Sequence, residues 1–229
     1  MYHTRRRNED VLDLYMVRHA ESEMQRRRHL ICGRFPHTPL SRRGRIQGRL
    51  LGKRLAREGV RFDEIMIPPS IRHAQTLECI RPFIGADPEV IIVDALHEIH
   101  KGTWDGKDRD AMLAAHPELP ERARRQGVDF CLPGGESMRE KGEEILRFAN
   151  KQAATHKDAD HSILTISSSG TINLLVWALF GLDDEFALNP KIENTSITHL
   201  RHADTWSLVK INDHDHLLAN ILGLKCKKA

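Results

Sequence analysis

Short apolar runs alternate with more polar stretches along most of the chain. Such runs cover residues 12–17, 62–67, 90–93 and 162–167. Short continuous apolar runs of this kind are typical of strands that are covered on both faces of a sheet. We therefore predict that these four segments are strands of a sheet buried between two other layers.

Stretches with helical spacing lie between these runs. One has apolar residues at 46, 50, 51 and 55, with Ser41 as a candidate N-cap and Gly59 near its end. Further helices are predicted after Ser70, from about residue 136 to 156, and from 171 to 180. Each predicted strand except the third is therefore followed closely by a predicted helix.

This alternation predicts an α/β fold, a three-layer α/β/α sandwich around a mostly parallel sheet. Two final strands, at 196–200 and 206–211, are expected to form an antiparallel addition. The length of 229 residues and the hydrophobic content of 40% fit a single domain over the whole chain. Within it we expect a basic tail at 1–10 and a small cap at 105–132, where two prolines interrupt a charged, partly helical segment.

Composition narrows the class of protein. The formal net charge of +3 does not by itself imply nucleic-acid binding, and no apolar run is long enough to span a membrane. The charged start of the chain lacks the apolar core of a signal peptide, and the four cysteines show no close pairing. We therefore expect a cytoplasmic protein that binds neither nucleic acid nor membrane. A basic cluster at 26–28 is either a solvated loop or a rim that attracts an anionic substrate.

Candidate chemistry begins where the first run ends. Arg18 and His19 follow that strand directly, at the edge where open α/β sheets bind ligands, although a polar pair that merely caps the strand is equally consistent. Arg72 lies in the first turn of the helix after the second strand. A guanidinium group presents a planar fork of donors that matches phosphate, and a neutral imidazole is able to attack phosphorus. A cation and an imidazole at this edge therefore indicate a functional site.

Further motifs follow in order along nearly the whole chain. They are Arg-His-Ala-Glu-Ser at 18–22, Arg-His-Ala-Gln-Thr at 72–76, Leu-His-Glu at 96–98, Pro-Gly-Gly-Glu-Ser at 133–137 and Asn-Thr-Ser-Ile at 194–197. With these motifs the chain resembles the histidine phosphatase superfamily, the phosphoglycerate-mutase-like group, and its phosphatase branch in particular. The resemblance implies the same three-layer fold and hydrolysis of a small phosphorylated substrate through a phosphohistidine. No metal ion or cofactor is expected, because no group of histidines or carboxylates has metal-ligand spacing, and a homodimer is an open alternative to a monomer.

The resemblance also implies roles for single residues. His19 is expected to be the nucleophile, and Arg18 and Arg72 the clamps on the phosphoryl oxygens, with surface ion pairs as the alternative for the arginines. Glu98 matches the proton donor to the leaving oxygen, or is otherwise a surface carboxylate. Supporting contacts to phosphate or substrate are expected from Glu21, Gln25, Gly33 and Ser169. Glu136 is either the first-turn acid of a helix or a residue that orients an arginine.

One expected residue is absent. The family has a second histidine after the strand that ends at Ser167, and here Ser168 stands at that place. Losing an oxyanion-type donor typically costs about 10²-fold to 10³-fold in rate, so we expect weakened turnover and a gain from Ser168→His. The backbone N–H groups of 168–170 precede a helix and are expected to favour an anion. A pseudoenzyme that binds a phosphorylated ligand or partner, and a mutase, are the alternatives.

Overall fold

The computed structural model describes residues 10–85 and 88–221, and within them the strands form one six-stranded sheet in the order β3-β2-β4-β1-β5-β6. The strands are β1 Leu12–Arg18, β2 Glu64–Ile67, β3 Glu89–Ile92, β4 His161–Ser167, β5 Ile197–His202 and β6 Trp206–Asp213. β1 pairs with β4 in parallel, and β2 pairs in parallel with both β3 and β4. β5 and β6 are antiparallel and extend the sheet from β1, which confirms the predicted mixed sheet. The predicted tail at 1–10 lies outside the described residues except for Asp10.

Helices cover both faces of the sheet. They are α1 Glu23–Arg26, α2 Arg42–Glu58, α3 Ile71–Ile80, α4 Arg109–Ala115, α5 Leu119–Gln126, α6 Met138–Thr155, α7 Ser169–Phe180, α8 Asp184–Leu188 and α9 Asp215–Ile221. In the described chain, no helix is both long and apolar enough to cross a lipid bilayer.

The alternating side chains of β1 show why its apolar run is continuous. Leu14 and Met16 belong to a core cluster with side chains of α6 and α7, whereas Val17 belongs to a second cluster with side chains of α2 and α3. Successive side chains of a strand point to opposite faces, so both faces of β1 must be apolar. The predicted three-layer α/β/α sandwich is therefore confirmed.

Helix ends agree with the sequence where a cap residue defines them. Ser41 Oγ accepts a hydrogen bond from Gly44 N at 2.9 Å, and Gly59 ends α2 in the left-handed conformation with φ +66°. α6 begins two residues later than predicted, because Ser137 is its N-cap and forms a capping box with Glu140. The short helices α1, α8 and α9 were not predicted, since they are too short for a clear apolar period.

The segment 105–132 contains α4 and α5 and lies against the loop that follows α1. Ile31 N donates to Lys107 O at 2.9 Å, and Arg109 N donates to His29 O at 2.8 Å. Val128 is buried in a small core cluster with Leu174 of α7. The segment is thus fixed at the same end of the sheet as the carboxyl ends of β1 and β4.

Candidate active site

A cavity of about 130 Å³ opens at the carboxyl edge of the parallel strands. β1 leads to α2 on one face of the sheet, and β4 leads to α7 on the other face. The two chain segments therefore diverge after their strands and leave a crevice between them. The cavity is lined by Arg18, His19, Ser22, Met24, Gln25, Cys32, Gly33, Phe35, Thr38, Arg72 and Glu98. The structure therefore brings together the predicted nucleophile, both predicted clamps and the predicted acid, from three separate parts of the chain.

His19 is buried at the end of β1, and its imidazole has a defined orientation. Its backbone N–H donates to Ser167 O at 2.9 Å, and its Nδ1 lies 2.8 Å from Ala20 O. A carbonyl oxygen only accepts, so Nδ1 carries the proton and Nε2 keeps a free lone pair. Burial, together with the positive charges of Arg72 and Arg18, places the pKa of His19 well below its ordinary value of 6.5. The ring is therefore neutral near pH 7, as a nucleophile must be.

Backbone carbonyls hold the two arginines in place. Nη1 of Arg18 donates to Ile192 O, and Nη1 of Arg72 donates to Phe35 O at 2.6 Å. Burial lowers the pKa of both guanidinium groups from their ordinary value, and the nearby carboxylate of Glu98 opposes that shift. Within the described residues, Nε of Arg18 is buried without a hydrogen-bond partner. A buried cationic donor without a partner is costly, and an anion in the cavity would satisfy it.

The carboxylate of Glu98 is held at the start of α7. Its Oε1 accepts from Ile99 N at 2.9 Å, and its Oε2 accepts from Gly170 N at 3.2 Å. A β-carbon on Gly170 would lie 2.4 Å from Oε1 of Glu98, so a larger residue would displace this carboxylate. The helix N-terminus predicted to favour an anion thus binds the side chain of Glu98.

Gln25 and Gly33 also line the cavity, as predicted for substrate contacts. Oε1 of Gln25 accepts from Ser22 N at 3.0 Å and lies 3.3 Å from Nδ2 of Asn194, which fixes the amide. A β-carbon on Gly33 would lie 1.9 Å from Oδ1 of Asp105, so the loop packs too closely for any side chain there.

Glu21 and Ser169 are not among the cavity-lining residues in the described chain. Oε1 of Glu21 accepts from Ser41 Oγ at 2.6 Å, and its other oxygen lies 3.6 Å from Arg43, so the carboxylate supports the start of α2. Ser169 is the first residue of α7. Neither placement supports the expected contact with substrate.

The Ser168 hydroxyl was expected to donate a hydrogen bond to the phosphoryl group, but Ser168 is not among the residues that line the cavity in the described chain. It is fully buried, and its Oγ lies 3.2 Å from Nε2 of His73. His73 is itself fully buried, with its ring centroid 5.0 Å from that of His19. The expectation that Ser168 touches the phosphoryl group is therefore corrected, because its hydroxyl faces a histidine that the predicted site did not include.

The loop between β1 and α2 contributes residues that were missed. Ser22, Met24, Cys32, Phe35 and Thr38 complete the cavity wall, and only their position after the first strand could have indicated them. Arg26, Arg27 and Arg28 are exposed and lie outside the wall in the described structure.

Glu136 is not the first-turn acid of a helix, and the arginine that it contacts, Arg34, does not line the cavity within the described residues. It lies outside α6, and its Oε1 accepts from His100 N at 2.6 Å and from Arg34 at 3.2 Å. Since Nη1 of Arg72 also contacts Arg34 O at 3.3 Å, Glu136 orders the loop that holds Arg72.

One group of possible metal ligands lies elsewhere, although none was predicted. Donor atoms of Glu64, His156 and His161 lie within 4.8 Å of one another. The two imidazole rings are stacked at 3.7 Å with planes 10° apart. An imidazole binds a metal ion in its own plane, and two parallel stacked planes share no such position, so this arrangement is a stacked histidine pair beside a carboxylate.

Comparisons with known proteins agree with this geometry. Residues 14–214 match the model of the histidine phosphatase superfamily (branch 1). Over 206 residues the chain is 29% identical to "Putative phosphoserine phosphatase 2" of Hydrogenobacter thermophilus, covering 89% of this chain and 96% of that protein. Over 185 residues it is 26% identical to the 2,3-bisphosphoglycerate-dependent phosphoglycerate mutase of Brucella anthropi, covering 80% and 88%. The solved structure of Bacillus stearothermophilus YhfR superposes with a TM-score of 0.78 at 25% identity, covering 90% and 99%.

Proposed function

The chain belongs to branch 1 of the histidine phosphatase superfamily, and we propose that it hydrolyses a small phosphomonoester through a phosphohistidine on His19. The observation that supports this most directly is the small cavity that His19 lines together with the guanidinium groups of Arg18 and Arg72. Its Nδ1 is engaged with Ala20 O, which leaves only Nε2 for attack. Segment 105–132 is the cap in this proposal, because it is tied to the loop beside the cavity.

Binding of the phosphate group is assigned to Arg18 and Arg72. Each guanidinium is held by backbone carbonyls through one nitrogen, so other N–H groups remain for phosphoryl oxygens. Two fixed positive charges in a small cavity stabilise the charge on the equatorial oxygens during transfer. The proposed reaction therefore needs no metal ion.

In the first step, Nε2 of His19 attacks phosphorus and a P–N bond forms while the P–O bond to the leaving group breaks. Glu98 gives its proton to the leaving oxygen, and the product alcohol departs.

In the second step, water attacks the phosphohistidine and the P–N bond breaks. The Glu98 carboxylate accepts a proton from that water, so the acid of the first step is restored. Inorganic phosphate leaves, and His19 returns to the neutral imidazole with its proton on Nδ1. One difficult displacement thus becomes two easier ones.

Brief exposure to a phosphomonoester labelled in its phosphate tests the proposal. We expect acid-labile, base-stable label on His19, no label on the His19→Ala variant, and no change when a chelator is added. Label that persists in His19→Ala, or that lies on a serine, contradicts the mechanism.

Glu98→Gln tests the assignment of the acid. The amide keeps the shape of the side chain but has no acidic proton. Hydrolysis of alkyl phosphates should therefore slow much more than hydrolysis of p-nitrophenyl phosphate, whose leaving group needs no acid. If Glu98→Gln slows hydrolysis of both substrates equally, Glu98 is not the proton donor to the leaving oxygen.

The relatives include a mutase as well as a phosphatase, so the acceptor must be identified. A phosphatase transfers the labelled phosphoryl group from His19 to water, whereas a mutase returns it to a second hydroxyl of its substrate. Ser168 supplies no charge, so slow turnover remains a prediction. Phosphate binding without phosphorylation of His19 by any phosphomonoester would instead identify a pseudoenzyme.

A further inference from the structure

His73 is a buried ionisable neighbour of His19 that the proposed mechanism does not use. It follows Arg72 in the first turn of α3, and its side chain is fully buried. Its ring meets that of His19 edge to face, with centroids 5.0 Å apart and planes 73° apart. In the described structure His73 does not line the cavity, so any effect on the reaction must pass through His19.

The side chain of Ser168 contacts His73 and does not cap the helix that follows it. Ser168 is the N-cap residue of α7 and has extended backbone angles, φ −116° and ψ 161°, which suit a capping serine. Within the described residues its side chain makes no capping hydrogen bond, and its Oγ lies 3.2 Å from Nε2 of His73. A serine at an N-cap ordinarily accepts a hydrogen bond from a helix amide. Here the contact with His73 replaces that capping bond.

We propose that His73, held by the Ser168 hydroxyl, is a positioning residue that fixes the His19 imidazole with Nε2 towards the cavity. The inference rests on the proposed function of His19 as nucleophile. Rotation of the His19 ring would break the bond to Ala20 O and move Nε2 off the phosphorus. The edge-to-face contact with the His73 ring resists this rotation.

Burial supports this role. Desolvation is the main cause that places the pKa of His73 well below 6.5, and the neighbouring His19, Arg72 and His97 lower it further. His73 therefore stays uncharged beside His19 and does not oppose the positive charge that the His19 ring gains when it is phosphorylated. Nε2 of His73 contacts the Ser168 hydroxyl, and within the described residues its buried Nδ1 has no hydrogen-bond partner.

The proposal reverses the effect expected for Ser168→His. Position 168 is fully buried and already in contact with the His73 ring, so a second imidazole has no room there. Ser168→His should lower the rate of His19 phosphorylation. Combining it with His73→Ala frees that space, and the double variant should be faster than Ser168→His alone.

The first test measures single-turnover phosphorylation of His19 and the affinity for orthovanadate. His73→Ala should slow phosphorylation by about 10-fold to 100-fold, as misplacement of a reacting atom does, with vanadate affinity unchanged because both arginines remain. The matched control is His199→Ala, another buried histidine, which is bonded to Asp13 and not to the cavity. It should leave phosphorylation unchanged. Equal rates for His73→Ala and the wild type would overturn the proposal.

A double-mutant cycle tests the role of Ser168. Ser168→Ala alone should slow phosphorylation by roughly 2-fold to 10-fold, the value of one neutral hydrogen bond. Because Ser168 acts only through His73, Ser168→Ala should add nothing to His73→Ala. Additive losses contradict the proposal.

A third measurement does not depend on activity. In ¹⁵N-labelled protein, the ring signals of His19 should show one species protonated at Nδ1, and His73→Ala should add a second orientation or broaden the signals. Unchanged His19 signals in His73→Ala would overturn the inference. Absence of phosphorylated His19 in the wild type would instead overturn the proposed function, and the ring signals would still decide the role of His73.

Discussion

The reactivity of His19 depends on its protonation, which its neighbours set. Burial and the two arginines lower its pKa well below 6.5, so the neutral form persists as the pH falls through that value. We predict that phosphorylation of His19, corrected for ionisation of the substrate, shows no loss near pH 6.5 and declines only at clearly lower pH. A pH profile of the single-turnover rate measures this, and a midpoint at 6.5 would show that burial does not control the residue.

Arg72 is expected to contribute to anion binding more than any exposed arginine. Its guanidinium is buried at the cavity and is positioned by Phe35 O and Arg34 O. Arg72→Ala should weaken vanadate binding by roughly 1.5–3 kcal/mol, the range for a hydrogen bond to a charged group. Titration calorimetry measures the change. Arg43→Ala is the matched control, because the Arg43 side chain is 71% exposed, and a similar loss there would show only a general effect of charge.

At the scale of elements, the start of α7 acts on the site through Glu98. The N–H of Gly170 binds the carboxylate, and a β-carbon at 170 would lie 2.4 Å from it. Gly170→Ala should therefore slow hydrolysis of alkyl phosphates more than hydrolysis of p-nitrophenyl phosphate, which is also the result expected for Glu98→Gln. Steady-state rates on the two substrates check this.

The other end of the same helix supplies the control. Gly181 has φ +57°, and a β-carbon there would meet nothing within 4 Å. Gly181→Ala should cost about 1 kcal/mol in the free energy of unfolding through left-handed strain, with no effect on either substrate. Equal kinetic effects of the two glycine variants would mean that α7 acts through stability alone.

For the whole molecule, buried histidines predict acid sensitivity. Burial is the main cause that lowers the pKa of His97 and of His216 to about 4 from 6.5. Between these values the unfolded chain binds protons that the folded chain does not, so the free energy of unfolding falls as the pH drops from 6.5 to 4. Each residue contributes up to about 3 kcal/mol over this window.

Denaturant unfolding at a series of pH values measures this loss. His216→Gln should reduce the slope of the free energy of unfolding against pH between 6.5 and 4. Asp13 and Asp213 have pKa values below 3.8, so the stability that they contribute is lost only at lower pH. A slope that His216→Gln leaves unchanged would assign the acid sensitivity to other groups.

Much of this molecule could be predicted from its sequence. The apolar run of β1 is covered on both faces, and contiguous residues Arg18 and His19 necessarily stand where the strand ends. Caps such as Ser41 and Gly59 are local, because their bonds join residues within one turn. The end of this strand and these two caps, each a property of one element, therefore agree with the structure.

Side-chain partners across elements could not be predicted in this way. Ser168 has the sequence context of an N-cap or of a substrate donor, and its actual partner is His73, 95 residues away. Glu98 was expected at the cavity, but its anchor on Gly170 N was not. Such contacts depend on how α3 and α7 are placed around β4, which no local spacing encodes.

The sequence by itself determined the alternation of the strands with the longer helices, the three-layer sandwich, and the position of Arg18, His19 and Arg72 at one edge of the sheet, whereas Glu98 was placed there by the family resemblance. It did so because apolar periodicity and strand ends are local properties that fix where a chain must be buried and where it must turn. Only the tertiary structure decided that His73 lies against His19 and that Ser168 binds it. Buried polar groups take whichever partner the packing of distant elements brings within hydrogen-bond distance.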